Sequence, residues 1–76
     1  MNEKLTRLMS ATFGLAPEAI FPDAAMTNTP EWDSLAHLNL CLSIEEAFHI
    51  RLLPDEIMEL TSVSAIEAVL ARHSAA

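Results

Sequence analysis

Residues 31–48 read Glu31-Trp32-Asp33-Ser34-Leu35-Ala36-His37-Leu38-Asn39-Leu40-Cys41-Leu42-Ser43-Ile44-Glu45-Glu46-Ala47-Phe48. Asp33 is a ready N-cap, because its carboxylate can accept from an amide two or three residues on, and a helix is predicted from Ser34 to Phe48. Steps of about 100° gather Leu40, Cys41, Ile44, Ala47 and Phe48 on one arc and Leu35, Leu38 and Leu42 on another. Asn39, Ser43 and Glu46 fill the polar remainder. A helix apolar over so wide an angle needs several neighbours, and is expected to be the central one.

Before this helix, Leu5, Leu8, Met9 and Phe13 recur at spacings of three and four, which predicts a first helix over residues 2–13. Gly14 is placed to end it in the left-handed conformation, with Pro17 just beyond. Leu15 to Trp32 then forms a long connection broken by Pro17, Pro22 and Pro30. Leu15, Ile20, Phe21 and Met26 are its expected anchors to the core. Downstream, Pro54 can open a short third helix reaching Leu60, with Asp55 and Glu56 at its positive end. Thr61, Ser62 and Ser64 are candidate caps for a fourth, and Ser64 with Glu67 has capping-box spacing. The fold class expected is all-α: a four-helix bundle with a long first loop and a short third helix, in one domain over residues 1–76.

The 76-residue chain is too small for a deep enclosed catalytic cleft, so it is not expected to be an enzyme itself. Eleven acidic against four basic residues give a formal charge of −7, which repels nucleic acid and anionic lipid and favours basic protein partners. Apolar runs are shorter than the roughly 18 residues of a bilayer span, and MNEKLTR lacks the layout of a secretory signal, so a cytoplasmic monomer is expected. A single cysteine, Cys41, permits no intrachain disulfide and reads as a small buried residue. Met9, Met26 and Met58 read as core filler. His49 and His73 are too scattered for a metal site.

Ser34 follows a loop and opens a long helix, where free amides and the helix dipole favour an anion grafted onto its hydroxyl. Asp33-Ser34-Leu35 resembles the phosphopantetheine attachment motif of acyl carrier proteins. The resemblance continues through Ile44-Glu45-Glu46-Ala47-Phe48, Pro54-Asp55-Glu56 and Thr61-Ser62-Val63, spanning nearly the whole chain. It implies a 4′-phosphopantetheine joined covalently to Ser34, with Asp33 and Leu35 flanking it. It also implies acyl groups held as thioesters on that arm, and recognition by a phosphopantetheinyl transferase, a loading ligase and biosynthetic enzymes with basic patches. Leu35, Asn39, Leu42, Glu45, Glu46 and Glu56 are the docking residues it suggests, and Leu38, Leu42, Leu52, Ile57 and Leu60 a crevice for part of an acyl chain, with core packing as the plainer role of each.

Asn39 and Ala36 stand where fatty-acid carriers usually have acids, and Trp32 where they commonly have a small residue. The run from Trp32 to Leu38 is closer to stand-alone carriers of specialised pathways. An aminoacyl or peptidyl cargo, an unmodified helical interaction module, and a small hydrolase pairing Ser34 with His37 at i, i+3 are the alternatives. His37 is expected to face solvent.

Overall fold

A computed structural model describes residues 2–74. The ends of the expected 1–76 domain, residue 1 and residues 75–76, lie outside the described residues. Four helices run in the order α1 (Glu3–Phe13), α2 (Ser34–Phe48), α3 (Pro54–Glu59) and α4 (Val63–Ser74), with a 3₁₀ turn at Pro17–Ala19 between the first two. The architecture is all-α, as expected.

Each boundary has a local cause. Asn2 caps α1, its side-chain oxygen accepting from the amides of Lys4 and Leu5 at 2.8 and 3.3 Å. Gly14 stops the helix with φ 70°, and its amide returns to the Ser10 carbonyl. At the end of α2 the left-handed residue is His49, with φ 55°. The cap of α4 is Ser62, whose hydroxyl accepts from Ala65 N–H at 3.1 Å. Ser64 therefore lies inside α4 and the expected Ser64–Glu67 box does not form, because the helix starts at Val63, two residues earlier than a Ser64 cap would set it.

Leu5, Met9 and Phe13 from α1, Leu40, Cys41 and Ile44 from α2, and Val63, Ile66 and Val69 from α4 share one buried cluster. Burial of each large side chain here is worth roughly 1.5–3 kcal/mol. Lys4 Nζ also lies 4.9 Å from the Phe48 ring centre, tying α1 to the end of α2.

The long connection is ordered against this core. Met26 N–H donates to the Thr61 carbonyl and Val63 N–H to the Ala24 carbonyl, both at 2.9 Å, so the loop pairs with the α3–α4 junction. Ile20 is buried, and Leu15 and Met26 pack partly against the core, as expected of anchors. Phe21 is not an anchor: it is 60% exposed. Its neighbour Ile20 has extended backbone, and in extended chain adjacent side chains point oppositely, so sending Ile20 inward turns Phe21 outward. Trp32 replaces it as the loop's large buried residue, its ring 5.3 Å from that of Phe13. Met58 is likewise no core filler. Glu56 and Leu60 take the inner side of the α3 region, which leaves Met58 outward at 77% exposure.

Candidate functional site

Ser34 stands at the start of α2, just after the Asp33 cap. Asp33 has extended backbone, and its Oδ1 accepts from Ala36 N–H at 2.8 Å. Its carbonyl accepts the first helical bond, from His37 N–H, also at 2.8 Å. Ser34 is the first helical residue and is exposed. The amides of Ser34 and Leu35 have no carbonyl one turn back within the helix, so they can face an anion. An exposed hydroxyl beside these donors fits a phosphodiester with a flexible group beyond it.

Three residues on, His37 departs from expectation: it is half-buried and both ring nitrogens are engaged. The Trp32 indole N–H donates to His37 Nδ1 at 3.1 Å. An indole nitrogen can only donate, so Nδ1 carries no proton, and Nε2–H donates to the Ile57 carbonyl at 2.8 Å. The neutral Nε2–H tautomer satisfies both bonds. Neither nitrogen is left to accept the Ser34 proton, so the Ser34–His37 hydrolase pairing has no base in this geometry. The packing of Trp32 explains the turn inward, since its ring fills space beside α2 and needs an acceptor for its buried N–H.

Because His37 faces α3, the apolar residues beside it do not. Leu38 and Leu42 stand about 100° from His37 and Cys41 and are 55% and 63% exposed. The five expected crevice residues therefore occupy different environments: Leu52 and Leu60 are buried in the core, Ile57 is half-buried, and Leu38 and Leu42 face outward. The second apolar arc of α2 is a surface. Leu35, Asn39, Leu42 and Glu46, at successive steps of four, three and four, form one exposed stripe. Leu42 and Glu46 share a shallow depression with Leu8 and Thr12 of α1, a neighbourhood that helix periodicity could not reveal.

Two expected docking carboxylates are engaged internally. Glu45 Oε2 accepts from Leu52 N–H at 2.8 Å and fastens the α2–α3 loop. Glu56 is corrected more fully. It is 9% exposed, its Oε1 accepts from Leu53 N–H at 2.9 Å, and both its oxygens lie within 3.1 Å of His73 Nε2. The Leu53 amide, and then the His73 ring, hold its carboxyl below the ordinary carboxylate range. The N3 position of a short helix explains this inward use, because a Glu there reaches back to the amide before the helix. His73, scattered in sequence, joins α4 to it, and the Arg72 guanidinium lies 3.9 Å from the same carboxylate.

Cys41 is buried, and burial first, then the nearby Glu45 charge, pushes its thiol pKa up. It stays a protonated, apolar filler and a poor nucleophile. Among the described residues no group of three or more His, Cys, Asp or Glu could hold a metal ion, and no helix is long and apolar enough to cross a membrane.

No protein-family model matches the chain. An acyl carrier protein of Renibacterium salmoninarum is 28% identical over 71 residues, covering 93% of this chain and 88% of that protein. With 71 of the 76 residues aligned, the similarity takes in the long loop and reaches into all four helices.

Proposed function

We propose that this chain is an acyl carrier protein, which holds acyl intermediates as thioesters on a 4′-phosphopantetheine attached to Ser34 and presents them to successive enzymes. The exposed Ser34 hydroxyl at the Asp33-capped start of α2 is the observation that carries this reading. In the attachment step the Ser34 oxygen bonds to the phosphorus bearing pantetheine in coenzyme A. The pyrophosphate P–O bond breaks, and the nucleotide leaves with the electron pair as 3′,5′-ADP. Ser34 gives its proton to a base of the transferase, since His37 is committed elsewhere.

The bound group supplies a terminal thiol for the thioester. The chain's own part is to hold the attachment atom clear of the bundle and to raise the cargo's effective concentration at docked active sites. Cys41, buried and protonated, does not compete for acyl groups. The stripe of Leu35, Asn39, Leu42 and Glu46 is the proposed docking surface, an apolar strip with an acid at one end, suited to partners with apolar hollows rimmed by basic residues. The partners are a phosphopantetheinyl transferase, an acyl-loading ligase and the biosynthetic enzymes that use the thioester. The cargo is acyl in the reading that the similarity to an acyl carrier protein favours.

Incubation with coenzyme A and a broad-specificity phosphopantetheinyl transferase, followed by intact-protein mass spectrometry, tests the reading. One phosphopantetheine is expected on the wild type and none on Ser34→Ala. An unmodified wild type, beside a control carrier that is modified, would refute it.

A further inference from the structure

The contacts of His37 bring together parts of the chain that sequence separates. Trp32, two residues before Ser34, is 2% exposed and lies against Phe13 of α1. Its one polar atom is satisfied by His37 Nδ1, and the opposite nitrogen of the same ring reaches the main chain of α3 at Ile57. Only a neutral imidazole can accept on one side and donate on the other at this span. The bridge therefore ties three things at one point: the end of the long loop, the first turn of α2, and α3. Asp33 and Ser34 lie between the two bridged residues of the loop–helix junction.

We propose that His37 is a positioning residue for modification of Ser34: by joining Trp32 Nε1 to the Ile57 carbonyl it holds the loop–helix junction in the form a phosphopantetheinyl transferase recognises. The inference rests on the carrier reading but concerns a residue that never touches coenzyme A. Without the bridge, the buried indole N–H loses its acceptor and the junction populates other arrangements. If a fraction of molecules then presents Ser34 correctly, the apparent affinity of the transferase for the carrier falls by that fraction. The chemical step, once the complex forms, is unchanged. The signature of positioning is a raised KM for the carrier at constant kcat.

The substitutions separate the two halves of the bridge. His37→Asn can still accept from Trp32 but does not reach Ile57, His37→Gln can reach Ile57 but not accept from Trp32, and His37→Leu loses both while keeping apolar volume. Each single loss is expected to raise KM by up to about fivefold, the factor that corresponds to one ordinary hydrogen bond, and His37→Leu by more. Trp32→Phe should raise KM in the wild type and add little in His37→Leu, because the bond it removes is already gone. Trp32 is the sole tryptophan, so acrylamide quenching of its fluorescence reports the junction directly, and quenching should increase in His37→Gln and His37→Leu before any transferase is added. Unchanged KM in folded His37→Gln and His37→Asn, with unchanged quenching in His37→Gln, would overturn the proposal, as would additive effects of Trp32→Phe and His37→Leu. A lower kcat at constant KM would also overturn it. If the wild type is not modified while a control carrier is, the carrier reading fails, and the quenching measurement alone then decides whether His37 orders the junction.

Discussion

The two apolar faces of α2 are built from the same residue types and do opposite things. Leu40, Cys41 and Ile44 are at most 3% exposed, whereas Leu35, Leu38 and Leu42 are at least 55% exposed. The inner face meets the apolar rows of α1 and α4. On the outer face Leu35 and Leu38 are exposed and Leu42 borders a shallow depression with Leu8 and Thr12 of α1, because His37 rather than Leu38 turns toward α3. Apolarity thus has two causes in one helix. On one side it holds the fold together, and on the other, in the proposed function, it waits for a partner.

Truncation on each side breaks the comparison most sharply. Ile44→Ala should cost about 2–5 kcal/mol, from lost burial and the cavity left behind, and Leu38→Ala should stay within about 0.5 kcal/mol in urea unfolding. Comparable losses at both positions would mean that the outer face is covered.

A second test concerns binding at that outer face. Glu46→Lys should leave stability nearly unchanged yet lower kcat/KM with the transferase severalfold at low ionic strength. The deficit should shrink as added salt brings the screening length down to about 3 Å near 1 M. A deficit indifferent to salt would remove Glu46 from the docking surface.

The smallest effect concerns Glu56, the acid that docking analogy would put outside and the fold turns inward. The folded-state pKa of Glu56 is lowered, so its contribution to stability is complete above the ordinary carboxylate value of about 4.3 and is lost as pH falls through the folded value. Glu56→Gln keeps an acceptor for Leu53 N–H but cannot titrate. Its stability should fall less steeply than the wild type's on the acid side of that value. Parallel acid unfolding of Glu56→Gln and the wild type would contradict the inward role of Glu56.

What the sequence made legible was local. The span of α2, the Asp33 cap and the Gly14 stop follow from chemistry within a few residues, and each was readable in advance. So was the exposed Ser34, because its setting is a helix start. Tertiary choices were less legible. The indole of Trp32 sits in a proline-broken loop with no periodicity to announce burial, and His37 finds its carbonyl partner 20 residues away. Glu56 and His73 are 17 residues apart, so their pairing depends on how α3 lies against α4. Phe21 and Met58 went outward because adjacent residues claimed the interior, a competition that composition does not decide.

Peptide mapping decides whether the Ser34 oxygen is the atom modified. After incubation with coenzyme A and a transferase proven on a control carrier, fragmentation mass spectrometry should place the added phosphopantetheine on Ser34. A chain fully processed at another serine, or one bare at every serine, would contradict the account.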